Sequence, residues 1–218
     1  MKKIKKSYKK IIHEEKVKES APLPHQSAKE EGLQDTISRI IPNWIDVLVK
    51  PEETFKREKP ITNLKTGVIY TIFGFIILGI ISGILSMSLF GIPGIVLSAI
   101  FAPILGLVVL LIYATGYFAM AKILGGAGTF GAQYFVVAIV LSPILVLNSI
   151  VGIIPLAGGY LALLVGLYAM YPLTLGIKEA HQLNLLKSVI AMLIPTIILT
   201  ILFAILLSPA GEAAPMSV

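Results

Sequence analysis

The chain has 218 residues, of which 56% are hydrophobic and 14% are charged, and its formal net charge is +6. Soluble globular domains carry about 25% charged residues, so this composition indicates an integral membrane protein and argues against a soluble one. The lack of cysteine excludes disulfides, thiolate catalysis and thiolate metal sites. Asp, Glu, Lys, Arg and His are all absent from three long runs, residues 66–121, 123–177 and 188–211.

The first 34 residues are predicted to form a basic tail and a linker. Apolar residues spaced three and four apart leave two interpretations of the tail open. It is either an amphipathic helix on an anionic membrane surface or a solvated tail whose lysines only fix the orientation of the protein. Because this basic excess lies beside apolar segments, anionic lipid head groups are the expected partner, and nucleic acid is not. The lysines proposed for this contact are Lys5, Lys6, Lys9 and Lys10.

Residues 35–65 are predicted to form a juxtamembrane segment with an amphipathic interfacial helix, capped by Asp35 or Thr36. Its apolar residues recur three or four positions apart and are Ile37, Ile40, Ile41, Trp44, Val47 and Leu48. The side chains expected to turn away from them are Arg39, Asn43, Asp46 and Lys50. The helix is shorter than the about 20 residues that cross a bilayer, so we expect it at the interface, with Trp44 among the head groups. A plain spacer without a partner is the alternative.

Five membrane-spanning helices are predicted, at residues 66–89, 95–121, 131–150, 156–177 and 188–207, with a turn at 90–94 between the first two. All Lys and Arg residues precede Thr66 except Lys122, Lys178 and Lys187, which fall in loops on the same side of such a bundle. The positive-inside rule then predicts a cell-membrane protein with a cytoplasmic N-terminus and a short external tail, residues 208–218. The expected fold is all-α, a polytopic bundle of five transmembrane helices preceded by an interfacial helix.

Small residues recur four positions apart in the predicted spans, as in the pairs Gly79/Gly83 and Ala162/Gly166. Such pairs let helix backbones approach closely where lipid provides no hydrophobic drive between helices. We expect them to pack helices within one bundle. A dimer face through Gly79 and Gly83 is the alternative.

Four spans also contain an internal proline, which removes a helical donor and clashes one turn back. Each of them therefore predicts a kink or a local break. Kinks in a static bundle are one interpretation, and broken helices that expose backbone to a transported substrate are the other. These residues are Pro103, Pro143, Pro172 and Pro195.

The sequence offers little chemistry. Without Asp, Glu, Lys, Arg or His, the predicted spans contain no proton relay and no base that would activate a nucleophile. There is no zinc-binding His-Glu-x-x-His pattern and no phosphate loop ending in Lys-Ser/Thr. Lys178, Glu179 and His181 form the densest titratable cluster after the N-terminal region, but a metal site needs more ligands than this loop supplies. We therefore expect no catalytic residues, no metal and no cofactor.

Three stretches resemble the Yip-domain family, the five-span membrane proteins named for interacting with Ypt/Rab GTPases. They are residues 46–55 (DVLVKPEETF), 124–130 (LGGAGTF) and 176–183 (GIKEAHQL), and a last span containing Ile194-Pro195 follows them. The resemblance extends from about Asp46 to the end of the fifth span. The chain lacks the Asp-Leu-Tyr-Gly-Pro motif of eukaryotic members, so it is expected to be of the prokaryotic type.

The resemblance implies a five-helix bundle that acts as a membrane adaptor or organiser and not as a catalyst. In eukaryotic members this role is vesicle trafficking. The expected function is therefore assembly with other proteins, lipids or further copies of the chain at the cytoplasmic face. A small transporter or channel component for a neutral solute or lipid is the alternative. The candidate interaction surface comprises Lys5, Lys6, Lys9, Lys10, Trp44, Phe55, Lys178, Glu179 and His181.

Overall fold

A computed structural model describes residues 32–58 and 63–207. Within these ranges the chain forms seven α-helices and no β-strand, which confirms the all-α prediction. The helices are α1 (Leu33–Val49), α2 (Pro51–Glu58), α3 (Leu64–Leu85), α4 (Met87–Ile123), α5 (Phe130–Val151), α6 (Gly158–His181) and α7 (Leu185–Leu207). The predictions for Lys5, Lys6, Lys9 and Lys10 and for residues 208–218 lie outside the described residues.

The five helices α3 to α7 are each long and apolar enough to cross a membrane, so the predicted five-span bundle is confirmed. Their ends differ from the predicted spans by at most four residues, except that α4 begins at Met87, eight residues before the predicted second span. Lys122 and Lys178 lie in the last turns of α4 and α6, where a cation interacts favourably with the negative end of the helix dipole. The sequence had placed both lysines in loops.

The reversal between the first two spans contains a left-handed residue. Ser86 ends α3, and its hydroxyl and backbone N–H both donate to the carbonyl oxygen of Ser82. Gly91 has a φ of 62° and interrupts the helical backbone of α4 within the turn predicted at residues 90–94. A residue with a Cβ rarely adopts this φ, so glycine is required at the break.

The pair Gly79/Gly83 brings α3 and α4 into backbone contact. A Cβ at Gly79 would overlap the carbonyl oxygen of Ser98, and one at Gly83 would lie 2.6 Å from the Cα of Ile95. The close approach expected of this pair thus occurs within one bundle. Because α4 already covers this face of α3, the face is not available for a dimer.

The expectation of close helix packing at the pair Ala162/Gly166 was wrong for Gly166. A Cβ at Gly166 would meet no atom within 4 Å, so no neighbouring helix approaches here. Gly166 instead borders a cavity inside the bundle, described below. The four-residue spacing indicated a contact that the fold does not make.

Helices α4 to α7 run through their prolines without a local break. Pro103, Pro143, Pro172 and Pro195 are all buried and all lie inside helices. Pro195 packs against Gly116, where a Cβ would lie 3.1 Å from the proline Cβ. The broken helices on which the transport alternative was based are therefore absent at these four positions.

Helix α5 is the centre of the bundle near its N-terminus. Residues 133–140 are buried on every side of the helix. A helix that is enclosed all round must be apolar on every face, which explains the lack of amphipathic periodicity in the sequence of α5.

The helix ends that carry lysines meet at one end of the bundle. A Cβ at Gly131 would lie 3.0 Å from the backbone nitrogen of Leu64, so α3 and α5 begin side by side. The Ala127 N–H donates to the carbonyl oxygen of His181 over 3.0 Å. Lys187 Nζ donates to the carbonyl oxygen of Leu124 over 2.9 Å. We call this end, which carries Lys65, Lys122, Lys178 and Lys187, the lysine end.

The Gly79 contact predicts opposite outcomes for two Gly→Ala substitutions. Gly79→Ala should lower the free energy of unfolding by about 1–3 kcal/mol, because backbone of α4 occupies the space of the new methyl group. Gly159→Ala is the matched control, since a Cβ there meets no atom within 4 Å. It should leave stability unchanged or slightly raised. Unfolding of both variants in mixed micelles measures the difference, and equal stabilities would contradict the backbone contact.

Candidate interaction surface at the lysine end

Helix α1 packs one face against the spans. Its buried residues are Thr36, Ile40, Asn43, Trp44 and Val47. Trp44 is 7% exposed and meets the ring of Phe73 edge-on, with ring centroids 5.8 Å apart. The sequence placed Trp44 among lipid head groups, and the structure corrects this, because the indole fills space beside Gly74 inside the protein.

A row of exposed apolar side chains runs along the edge of this buried face of α1. The exposed residues of this row, four positions apart, are Leu33, Ile37, Ile41, Ile45 and Val49. The apolar surface of α1 is therefore wider than the stripe expected from the sequence, because Ile45 and Val49 extend it and are exposed. We call the exposed row the α1 stripe. The helix begins at Leu33 after Gly32, earlier than a cap at Asp35 or Thr36 would allow.

Helix α2 is seated on α6 by one aromatic ring. Phe55 is 3% exposed, and a Cβ at Gly176 would lie 2.8 Å from the Cζ atom of this ring. Only a residue without a side chain leaves room for the ring at this position. The contact joins residues 46–55 to residues 176–183, two of the stretches that carry the family resemblance.

A buried carboxylate fixes α2 to α1. Glu58 is 0% exposed and accepts hydrogen bonds from Arg39 Nη2, at 3.0 and 3.1 Å, and from Arg57 Nε, at 3.0 Å. A carboxylate without such partners would be costly to bury, so the two guanidinium groups are what allow Glu58 to lie inside. We call Glu58, Arg39 and Arg57, with Asp46 and Asn43, the Glu58 cluster.

The Glu58 cluster continues into the first span. Arg57 also pairs with Asp46 at 2.8 Å and donates to Asn43 Oδ1 at 2.9 Å. Asn43 Nδ2 in turn donates to the hydroxyl of Tyr70 on α3 at 2.7 Å. The hydrogen bond to Glu58, followed by the one to Asp46, raises the pKa of Arg57. Asn43 is 3% exposed, so the expectation that it turns away from the packed face was wrong.

His181 lies where residues 124–130 meet residues 176–183. It is 1% exposed, and its Nε2 lies 3.0 Å from Gln133 Oε1. The glycine loop wraps around it, because a Cβ at Gly126 or Gly128 would come within 2.9 Å of His181 Nδ1. These glycines therefore provide a close approach around the histidine, where the sequence suggested only a flexible turn.

Three proposed surface residues are thus interior ones. Trp44, Phe55 and His181 are each less than one-tenth exposed, since they fill the contacts that hold the elements together. Lys178 and Glu179 remain half-buried at the surface, with their charged groups 3.8 Å apart. The accessible part of this region therefore consists of charged side chains.

Four charges from α2 and α6 form one patch. On α2, the exposed side chains of Lys56 and Glu52 pair, with Nζ 2.8 Å from Oε1. The hydrogen bond and charge of Lys56, with a smaller contribution from Lys178, lower the pKa of Glu52. The bond to Glu52 raises the pKa of Lys56, and Glu179 contributes in the same direction. We call Glu52, Lys56, Lys178 and Glu179 the charged patch.

The described residues also lack the ligand set of a metal site. Residues 32–58 and 63–207 contain no group of three or more His, Cys, Asp or Glu side chains that could hold a metal ion. No pattern in the sequence marks the Glu58 cluster, because Arg39 and Glu58 are 19 positions apart and lie on different helices.

The fold and this surface define a five-span integral membrane protein with an N-terminal pair of helices docked against its bundle. The chain belongs to the Yip1-domain family, whose model matches residues 45–207. The match includes all three stretches that meet at the lysine end. No curated protein and no solved structure matches the chain.

The Glu58 cluster predicts that Arg57 is needed to keep α1 and α2 docked. Arg57→Met removes one of the two guanidinium partners of a buried carboxylate and should weaken docking by about 3 kcal/mol. Protection of the α1 and α2 amides against hydrogen exchange should then fall by about 100-fold, since each factor of ten corresponds to about 1.4 kcal/mol.

Lys56→Met is the matched control for this measurement. Its ion pair with Glu52 is exposed, and exposed pairs contribute about 0–1 kcal/mol. Exchange close to that of the unchanged protein is expected. Equal exchange rates in the two variants would show that the Glu58 cluster does not hold the helices in place.

Proposed function

We propose that this protein is a non-enzymatic membrane adaptor or organiser that binds another protein through the charged patch. One observation carries the proposal. Three stretches that are far apart in the sequence converge on a single surface, built by the Phe55–Gly176 contact, the glycine loop around His181 and the Glu58 cluster. This construction holds Glu52, Lys56, Lys178 and Glu179 in fixed positions at the surface.

The proposed orientation places the lysine end in the cytoplasm and the protein in a cell membrane. Every Lys and Arg of the described residues lies in α1 and α2, in the Lys50 turn that joins them, or at the lysine end. The positive-inside rule favours this end for the cytoplasmic side. The N-terminus would then be inside and the C-terminus outside.

Lipid contact is proposed for the α1 stripe and for the N-terminal lysines. The stripe is a row of exposed aliphatic side chains on a helix whose adjacent face is packed on protein, which suits burial at the boundary of head groups and acyl chains. Lys5, Lys6, Lys9 and Lys10 would add attraction to anionic head groups. The stripe thus supports a position of the charged patch close to the membrane surface.

Protein recognition suits the charged patch better than lipid recognition does. The patch carries two acidic and two basic side chains, so its charges nearly cancel. An anionic membrane would be attracted by a basic surface, whereas charges of alternating sign select a partner with the complementary order.

Charge reversal within the patch tests the proposal. Lys56→Glu should reduce the recovery of a protein crosslinked to this chain in intact membranes by about tenfold, because like charges brought together at an interface cost more than 1 kcal/mol. The fold should persist, since Lys56 is 60% exposed and its ion pair contributes little.

Lys65→Glu is the matched control, with the same charge change at an exposed lysine of the lysine end outside the patch. It should retain the crosslinked partner. The proposal is wrong if both variants retain the partner equally, or if the unchanged protein crosslinks to no other protein.

A further inference from the structure

A cavity of about 420 Å³ lies between α4, α5, α6 and α7, within the range of about 300–1,000 Å³ that is typical of ligand pockets. Aliphatic and aromatic side chains form most of its wall. They come from all four helices and include Leu110, Ile144, Leu173 and Met192. This cavity is separate from the charged patch, so the inference below does not depend on the proposed adaptor role.

The cavity is elongated along the helices. Its lining runs from Leu141 to Asn148 on α5 and from Met192 to Phe203 on α7. At a rise of about 1.5 Å per residue, these stretches are roughly 10 and 16 Å long. The shape is therefore that of a slot parallel to the spans.

The slot is closed towards the lysine end and open at the other end. Tyr117 and Met192, nearest the lysine end, are 1% and 3% exposed. Asn148, Gly166 and Phe203, at the far end, are partly exposed. Because Gly166 has no side chain and no neighbour within 4 Å of a Cβ, the slot remains open beside it.

The slot has polar groups at its two ends, and Tyr113 between them also lines it. At the closed end, the Tyr117 hydroxyl lies 2.9 Å from Thr196 Oγ1, which also donates to the carbonyl oxygen of Met192 at 2.7 Å. At the open end, Asn148 lines the slot, and its Oδ1 atom is buried without a hydrogen-bond partner in the described part of the chain. A buried amide oxygen without a partner costs free energy, so the open end lacks a polar group that donates to it or water that bridges it.

We propose that this slot binds one acyl chain of a bilayer phospholipid from the leaflet opposite the lysine end. The acyl chain lies along the slot towards Tyr117, and the polar backbone of the lipid lies beside Asn148. At about 30 Å³ for a group the size of water, the volume takes roughly a dozen methylene groups.

The dimensions favour this occupant over others. A protein helix has a diameter of about 10–12 Å with its side chains and is too wide for the slot. Water needs two to four polar partners, and the mostly aliphatic and aromatic lining of the slot does not provide them along its length. Phospholipid surrounds the spans of a membrane protein on all sides, and Asn148, at the open end, lies in the last turn of α5.

Photo-crosslinking of the full chain in phosphatidylcholine vesicles tests the proposal. The probe is a phosphatidylcholine with a diazirine near the end of one acyl chain, and the labelled residues are mapped by mass spectrometry. Labels should concentrate on Tyr117, Leu173 and Met192, which ordinary lipid at the outer surface of the bundle does not reach. Labels confined to outward-facing side chains would overturn the proposal.

Gly166→Leu fills the slot and should reduce labelling of these interior residues by about tenfold, a loss of binding of about 1.4 kcal/mol. Gly159→Leu is the matched control, because Gly159 lies on the same helix, has equally open space around it and does not line the slot. The interior residues of this variant should be labelled as strongly as those of the unchanged protein. Equal interior labelling in both would overturn the proposal. If Gly166→Leu does not fold, labelling of the unchanged protein still decides the outcome.

A second probe distinguishes the source of the acyl chain. A free fatty acid with the same diazirine is compared with the phosphatidylcholine probe, each in competition with unlabelled phosphatidylcholine. Interior labelling by the phospholipid probe that unlabelled lipid displaces supports the proposal. Interior labelling by the fatty acid alone would overturn it.

Discussion

The fit of the Phe55 ring against Gly176 is the contact on which the arrangement at the lysine end depends. Helix α2 has eight residues and is too short to be stable in isolation, so it needs tertiary contacts to form. Phe55 provides the apolar contact, and Glu58, at the end of the same helix, provides the polar one. Both are required, because the apolar ring fixes the distance between α2 and α6 while the carboxylate fixes α2 against α1.

Glycine has different roles at different depths of the bundle. In the span pair α3 and α4, Gly79 and Gly83 allow backbones to touch. At the lysine end, Gly126, Gly128 and Gly176 make room for the rings of His181 and Phe55. These contacts are direct and specific, as expected where lipid provides no hydrophobic drive between helices. Gly166 is the exception, since it leaves an opening in place of a contact.

The sequence predicted the fold well because the membrane constrains it strongly. Runs of apolar residues long enough to cross a bilayer have few other structures available, so the number of spans follows from the charge-free segments. The sequence also showed the three stretches that resemble the family, and it placed the lysines on one side of the bundle. The prokaryotic type, the location in the cell membrane and the orientation of the protein remain predictions.

Tertiary contacts could not be predicted in the same way. The spacing of Ala162 and Gly166 matches that of Gly79 and Gly83. Gly79 and Gly83 meet a neighbouring helix, whereas Gly166 does not. Trp44 and Ile37 are seven positions apart and lie on the same side of α1, yet Trp44 is buried and Ile37 is 43% exposed. The Glu58 cluster joins residues on two helices and continues to Tyr70 on a third, so no local pattern marks it.

The most direct test of the account is whether the charged patch exists in the membrane. The chain contains no cysteine, so Lys56→Cys and Glu179→Cys can be introduced together without other thiols. A short bis-maleimide added to membranes should link the two within one chain, whereas Lys56→Cys combined with Leu156→Cys should not be linked. No link between positions 56 and 179 would show that α2 is not seated on α6, and the central claim would be wrong.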